Sequence, residues 1–299
     1  MKVLLLTMPT PAAPFIEAIA ARAPELELVE YRSALGDAEL AAIDVALGWR
    51  MPAGLPARMP RLGWVCSIGA GVDKLLDPDL APHVIVSRIV DPEQAAGIAQ
   101  YVVTMVLRHA RDLEAYEARQ RGRSWQRQPT PLATHRVTVL GTGAIGATIV
   151  DWLGRVGLRA RGWNRRATET LDAVLAQSDV VVCALPLTDA TEDLLDAGAL
   201  AAMPHGSYLV NVARGALVVE ADLIAAVRSG HLSGAALDVQ RREPLPADDP
   251  LWSVPGITIT PHIAAQSSTE VIAAQFVAAL RTVQRGDAVP NAIDRARGY

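Results

Sequence analysis

Short apolar runs alternate with longer mixed segments along almost the whole chain. The first series of runs falls at Val3-Leu6, Leu26-Val29, Val45-Leu47, Trp64-Cys66 and Val84-Val86, separated by polar or turn-rich stretches. Runs this short, bounded by Gly, Pro and charged residues, predict strands with a crossover between each pair. A long helix is predicted from Pro92 to Gln120 on the apolar positions Val102, Val103, Met105, Val106 and Leu107, and a polar, proline-marked segment follows from Arg121 to Thr134. A second series then runs through Val137-Leu140, Leu158-Trp163, Val180-Ala184, Tyr208-Val212, Ala235-Val239 and Ile257-Thr260. Its helices are predicted at Ile145-Val156, Leu171-Gln177 and Ala221-Ser229, with a final helix at Ser268-Arg285. Strands alternating with helices in this way build parallel sheets covered on both faces. The fold class is therefore α/β with two doubly wound parallel-sheet units, and the segment between the two series reads as a domain crossover.

Composition narrows the possibilities. The chain has 299 residues, enough for two domains, and 51% hydrophobic with 20% charged residues excludes disorder, collagen and coiled coil. The 28 basic and 32 acidic side chains leave a net charge of −4 with no long basic run, so nucleic acid is not an expected partner. Only 4% of residues are aromatic, and six of these are Trp against two Phe, so the core must be built mainly from Ala, Val, Leu and Ile. Cys66 and Cys183 both sit inside apolar runs and read as buried free thiols, which suits a cytoplasmic protein. The apolar opening Met1-Leu6 stops at Thr7 and reads as a first strand rather than a secretory leader. The most apolar stretch, Ala95 to Leu107, contains Gln100 and ends at Arg108, short of the roughly 18 residues a membrane span needs. No Cys, His and Asp cluster has zinc-ligand spacing, so no metal is expected.

The clearest chemical signal is Val137-Thr138-Val139-Leu140 running directly into Gly141-Thr142-Gly143-Ala144-Ile145-Gly146 and then a helix. In such a unit Gly141 permits a tight turn, Gly143 lets the backbone approach a pyrophosphate, and Gly146 lets helix pack on strand. The helix N-terminus then meets the phosphates with free N–H groups and a favourable dipole. In the NAD version of this unit an acidic residue closes the second strand and binds the adenosine ribose. Here that strand ends Gly162-Trp163-Asn164-Arg165-Arg166. Arg pairs with phosphate in a bidentate way where an acid would repel it, so NADP(H) is expected in preference to NAD(H). The bland alternative is that Arg165 and Arg166 are merely a solvated loop pair.

Three further segments end predicted strands: Asn211-Val212-Ala213-Arg214-Gly215, Asp238 to Leu245, and Thr260-Pro261-His262-Ile263-Ala264-Ala265. Ligands of a doubly wound sheet bind beyond the carboxyl ends of its strands, so these residues can share one crevice. Reduction of a 2-keto acid needs a cation for the carboxylate and carbonyl, which suits Arg214, and a proton donor, which suits His262. A carboxylate beside the imidazole fixes its tautomer and favours its protonated form, the part expected of Glu243. Singly, each of the three is an ordinary surface or capping residue; the order in which they follow a dinucleotide loop sets them apart. An earlier loop, Ser67-Ile68-Gly69-Ala70-Gly71-Val72-Asp73, also follows a strand and reads either as an anion-binding nest or as a plain tight turn. Trp49 and Arg88 lie at similar strand ends and are candidates to line a substrate pocket.

The segments VNVARGAL, ALDVQRREPLPADDPLW and TPHIAA resemble the signature regions of the D-isomer-specific 2-hydroxyacid dehydrogenases, and the resemblance runs over essentially the whole chain. It is most similar to the glyoxylate/hydroxypyruvate reductase branch, on the stretch Tyr101-Val102-Val103 to Trp125, the strand end Trp163-Asn164-Arg165 and the closing Ile293 to Tyr299. The resemblance implies a flavodoxin-like substrate domain from residues 1–102 plus 265–299, with a Rossmann-type cofactor domain, 103–264, inserted into it. It implies that Arg214, Glu243 and His262 are catalytic and that Asp238 orients the nicotinamide. Cofactor contacts are implied at Ala144, Ile145, Pro186, Thr191, Val212 and Ala213, and the backbone N–H groups of Ala70 and Gly71 are implied to hold the substrate carboxylate.

The expected activity is NADPH-dependent reduction of small 2-keto acids, glyoxylate to glycolate and hydroxypyruvate to D-glycerate. A homodimer is implied, with residues from about Arg111 to Thr134 as an arm toward the partner. Gln100, where the family often has an acid, and Ala264-Ala265, where glycines are common, depart from the pattern and bear on substrate preference. Rival readings are a dehydrogenase of another D-2-hydroxy acid and, from a different class, a non-catalytic dinucleotide-sensing protein.

Overall fold

In the computed structural model, residues 1–129, 132 and 134–299 are described. The chain opens with β1 (Lys2–Leu6), α1 (Ala13–Ala20), β2 (Glu27–Glu30), α2 (Asp37–Leu40), β3 (Val45–Gly48), β4 (Trp64–Ser67) and β5 (Ile85–Arg88). It continues with α3 (Pro92–Ala110), α4 (Leu113–Arg121), β6 (Arg136–Leu140), α5 (Ala144–Arg155), β7 (Arg159–Trp163), α6 (Leu171–Leu175) and β8 (Val180–Cys183). Then come α7 (Ala197–Ala202), β9 (Ser207–Asn211), α8 (Glu220–Arg228), β10 (Leu232–Leu237), β11 (Ile257–Ile259) and α9 (Thr269–Gln284). These fall into two units, Met1–Asp91 with Gln266–Tyr299, and Pro92–Ala265. All of α3 therefore goes with the second unit, where a break at 102/103 would divide it. The reason is packing: Ile98, Ala99, Val102 and Val106 of α3 share a core with Ile149 and Leu153 of α5.

The first unit is a five-stranded parallel sheet of order β2-β1-β3-β4-β5, the flavodoxin-like arrangement. Alternation along its strands feeds two cores. Val3, Leu5, Val45, Leu47, Trp64 and Cys66 face α1 and α9, while Leu4, Leu6, Ala46, Val65 and Val86 face Leu40, Met51, Leu62 and Leu75. Trp64 stacks on Phe276 of α9 with ring centroids 5.3 Å apart, an aromatic pair worth about 0.5–1.5 kcal/mol beyond its buried area. The C-terminal tail covers the edge strand β5. Ser87 bridges Ala292 in antiparallel fashion, the Ile293 N–H donates to the Val86 carbonyl, and the Arg295 guanidinium donates to the carbonyls of Leu80, Ala81 and Val84.

The second unit is a six-stranded parallel sheet of order β11-β10-β9-β8-β6-β7. The strand direction of travel reverses between β6 and β8, the place where such sheets bind dinucleotides. No strand lies outside β7 among the described residues, so the sheet has one strand fewer on that side than the fullest dinucleotide-binding arrangement. The helix expected from Pro92 to Gln120 is two helices. Asp112 adopts φ 51°, and Arg108 of α3 then reaches Glu114 and Glu117 of α4 across the break. No helix among the described residues is long and apolar enough to cross a membrane.

Candidate active site

Every ladder of the second sheet is parallel, and although β10 shifts register against β9 between Leu232 and Gly234, one row of residues marks its carboxyl edge. Trp163, Leu140, Cys183, Asn211, Leu237 and Ile259 are paired in sequence across the sheet. The loops carrying Gly141, Asn164, Pro186, Val212, Ala213, Arg214, Asp238, Glu243 and His262 all begin just past that row.

The glycine loop has the shape a pyrophosphate requires. A Cβ on Gly141, which has φ +115°, would lie 2.4 Å from the Ala184 carbonyl oxygen, and one on Gly146 would lie 2.0 Å from the Gly141 oxygen. These two glycines are needed for the close approach of β6, β8 and α5. Gly143 differs, since nothing stands within 4 Å of the Cβ it lacks, so the backbone there is bare. Gly143 is also the N-cap of α5, and no side chain caps the first turn of Ala144, Ile145 and Gly146, nor does that turn carry an acid. Uncapped N–H groups beside bare backbone suit a diphosphate.

At the end of β7 the Asn164 amide donates to the Thr142 hydroxyl at 2.8 Å and its oxygen accepts from the Arg166 N–H at 2.8 Å. Arg165 and Arg166 are exposed. The nearby acid, Glu169, pairs with Arg161 at 3.1 Å instead. Thr191, expected among the cofactor contacts, is only 1% exposed, and its hydroxyl donates to the Pro186 carbonyl at 2.7 Å while accepting from the Thr188 N–H. Thr191 closes the loop after β8 and shapes the position of Pro186, with its hydroxyl spent inside the protein.

The loops after β10 and β11 bring Asp238, Glu243 and His262 together. Glu243 accepts from His262 Nδ1 at 3.1 Å and from the Gln240 N–H at 3.2 Å. His262 itself adopts φ 56°, left-handed for a residue with a side chain, and its N–H donates to the Asp238 carbonyl at 2.8 Å. The Asp238 carboxylate accepts from the N–H groups of Ile263 at 2.8 Å and Ala264 at 2.9 Å and from the Thr260 hydroxyl at 2.6 Å. Asp238 is 1% exposed, so its carboxylate serves the loop that carries His262, a task that its expected place beside the nicotinamide did not foretell. Arg214 sits in a turn held by Asn211, whose amide donates to the Arg214 carbonyl and accepts from the Ala213 N–H. That turn packs tightly on the loop before Glu243, where a Cβ on Gly215 would meet the Gln240 carbonyl carbon at 1.9 Å.

The first unit presents its own carboxyl edge, on which Leu6, Gly48, Ser67 and Arg88 are in register. Trp49, the 69–71 loop and Arg88 come together there. The Trp49 ring covers Gly69, at 3.1 Å from the position of a Cβ, and Lys74 stands over the ring at 5.4 Å. Arg88 reaches the Ala70 carbonyl at 3.5 Å. Ser67, which sequence reasoning passed over, shapes the loop by accepting from the Gly69 N–H and donating to the Gly71 carbonyl. The N–H groups of Ala70 and Gly71 have no acceptor among the described residues. No group of three or more His, Cys, Asp or Glu among the described residues could hold a metal ion.

A glycine cradle for a diphosphate, with a carboxylate-backed histidine and an arginine on the same sheet edge, defines a dinucleotide-dependent dehydrogenase. The pattern of the D-isomer specific 2-hydroxyacid dehydrogenase NAD binding domain matches residues 103–264. The chain belongs to that family. It is 32% identical to glyoxylate/hydroxypyruvate reductase A of Yersinia enterocolitica over 96% of this chain and 98% of the relative. Among solved structures, a D-isomer specific 2-hydroxyacid dehydrogenase from Xanthobacter autotrophicus Py2 in complex with NADPH and MES superposes with TM-score 0.90 at 37% identity, covering 100% of this chain and 99% of that one. An NADPH-dependent glyoxylate/hydroxypyruvate reductase from Sinorhizobium meliloti in complex with NADP and sulfate gives TM-score 0.90 at 29% identity, with the same coverage.

Proposed function

We propose that the protein reduces glyoxylate to glycolate and hydroxypyruvate to D-glycerate with NADPH as reductant and His262 as proton donor. The observation that carries this reading is the His262–Glu243 pair, 3.1 Å apart at the sheet edge that also bears the glycine cradle. The reduced nicotinamide supplies a hydride when bound. With Nδ1 committed to Glu243, proton delivery to the substrate oxygen falls to Nε2, and the carboxylate fixes the ring's orientation and tautomer. Arg214 offers a guanidinium to the carbonyl and carboxylate of the substrate and steadies the negative charge that develops on oxygen. On the first unit taken by itself, the N–H groups of Ala70 and Gly71 are suited to hold a carboxylate, with Trp49 and Arg88 beside them.

Gly141, Gly143, Ala144, Ile145 and Gly146 would hold the diphosphate, and Pro186, Val212 and Ala213 the nicotinamide end. Arg165 and Arg166 are the basis for NADP(H) over NAD(H), since the strand end offers exposed guanidinium groups and no free carboxylate for a ribose. Relatives named as glyoxylate/hydroxypyruvate reductases support the choice of keto acid. The protein is placed in the cytoplasm, and its two buried cysteines are both free. A homodimer is part of the same reading, with the stretch from Arg111 to Thr134 as its arm. Residues 130, 131 and 133 of that arm lie outside the described residues; Trp125 within it is 94% exposed. Sedimentation that gives a monomer mass would remove the dimer.

NADPH absorbance in the presence of glyoxylate tests the activity. Turnover no greater than that of His262→Ala would sink the enzyme reading, and a preference for NADH would separately sink the part given to Arg165 and Arg166.

A further inference from the structure

The left-handed backbone of His262 is held from the far side by a chain of hydrogen bonds that begins on α3. Asp238 clamps three successive N–H groups, those of His262 through its carbonyl and of Ile263 and Ala264 through its carboxylate. Consecutive N–H groups curled around one acid form a nest, and a nest sets backbone angles. Thr260 gives its only hydroxyl proton to the same carboxylate at 2.6 Å. The Tyr101 hydroxyl lies 2.7 Å from Thr260 Oγ1, so Tyr101 must be the donor in that pair. Burial pushes its phenol up to about 12, which keeps the proton in place across the neutral range.

The anchoring is doubled one turn-pair further along α3. Arg108 reaches the Thr258 hydroxyl at 3.3 Å, and Thr258 and Thr260 lie two residues apart on the strand end that leads to His262. Tyr101 and Arg108 are seven residues apart and share one face of α3. Of the two, Tyr101 alone connects to the acid that curls the histidine loop.

We propose that Tyr101 is a positioning residue for His262, acting through Thr260 and Asp238. The inference rests on the reading of His262 as proton donor. Without the Tyr101 hydroxyl, Thr260 loses the donor that fixes its rotamer, and its bond to Asp238 competes with other hydroxyl orientations. The nest then loosens and His262 samples poses that miss the substrate oxygen, while the pyrophosphate cradle, after β6 further along the same sheet edge, is untouched.

The experiment is Tyr101→Phe, which keeps the ring and its packing. The expected result is a kcat about five- to tenfold lower, the effect of one lost hydrogen bond of ordinary strength, with KM for NADPH and for glyoxylate unchanged. Thr260→Val should cost at least as much, Thr260→Ser should restore the parental rate, and the double variant Y101F/T260V should be no worse than T260V alone. Amide hydrogen exchange supplies a readout that needs no turnover: protection at Ile263 and Ala264 should fall about tenfold in Y101F and stay constant in α5. If the parental protein reduces no keto acid, the functional reading fails while the exchange result still decides the linkage. Unchanged protection, additive losses in the double variant, or a Y101F effect confined to KM would overturn the proposal.

Discussion

Gly215→Ala is the sharpest single probe of how the loops that carry Arg214 and Glu243 are spaced. The added Cβ would stand 1.9 Å from the carbonyl carbon of Gln240, 2.2 Å from the nitrogen of Arg241 and 2.3 Å from the Gln240 oxygen. All three are backbone atoms, which cannot rotate away, and ordinary contact begins at 3.4 Å. The turn carrying Arg214 and the loop leading to Glu243 must therefore move apart by about 1 Å or more, in a core where overpacking costs about 1–3 kcal/mol. A misplacement of about 1 Å between reacting groups lowers rate by up to about a hundredfold, equivalent to about 2.7 kcal/mol. G215A should accordingly lower kcat/KM for NADPH-dependent glyoxylate reduction by roughly two orders of magnitude and lower Tm by several degrees. Gly154→Ala is the matched control, since its new Cβ meets nothing within 4 Å on α5, and a helical Gly→Ala change there should stabilise by about 0.5–1 kcal/mol. Were G215A to keep its kcat/KM within about threefold of the parental value, an effect under about 1 kcal/mol, the two loops would not be the rigid pair that their contact implies.

Replacing Arg165 and Arg166 together with Ala should raise KM for NADPH by about tenfold or more, the scale of one charge-assisted phosphate contact, and leave kcat and NADH kinetics nearly unchanged; an equal loss with NADH would remove them from 2′-phosphate recognition. Glu243→Gln keeps the shape but not the charge behind His262 and should lower kcat/KM by about a hundredfold with KM for NADPH intact; stopped-flow binding of NADPH beside steady-state rates would separate the two. Burial, first, and the facing His135 depress the His109 imidazole to about 4 from an ordinary 6.5. The unfolded chain therefore takes up a proton there before the folded one does, so stability is complete above about pH 6.5 and declines as pH falls toward 4, by up to about 3 kcal/mol before allowance for partial solvent exposure. His109→Phe keeps the stack on Tyr208 and should flatten that acid slope in urea melts across this range; an unchanged slope would show that His109 is not its source.

The sheet strands and their order of appearance were legible because each is a short apolar run between turn residues, and the cradle Gly141-Thr142-Gly143-Ala144-Ile145-Gly146 was legible because strand, glycines and helix are contiguous. Arg214, Glu243 and His262 could be singled out as candidates for a related reason: each lies in a loop that follows a strand, and parallel register carries strand ends to one edge. The break between α3 and α4 was not legible, since apolar and helix-favouring residues continue through it and only the left-handed Asp112 marks it. α7 escaped notice because Ala-Gly-Ala-Leu-Ala-Ala has almost no polar face to set a period. The internal hydrogen bonds of Thr191 and Asp238 were not legible either. Their hydrogen-bond partners, like Asn211, Ser67, Gln240 and Tyr101, are selected by three-dimensional loop shape, and a side-chain bond such as that from Tyr101 to Thr260 leaves no local pattern in a sequence.

The first unit is made from both ends of the chain, and this imposes a timetable on synthesis. When Asp91 leaves the ribosome, β1 to β5 are complete, yet Phe276 has not been made to cover Trp64 and Arg295 has not been made to close off the strand β5. More than half of the protein must be translated first, a delay of about ten to forty seconds at about 5–20 residues per second. During that interval an apolar sheet face and a bare strand edge are open to other chains, while Pro92 to Ala265 contains everything its own core needs. The inserted unit is thus the first that can finish folding, and the nascent sheet of β1 to β5 is the part of this protein most dependent on being shielded until Phe276 and Arg295 are made.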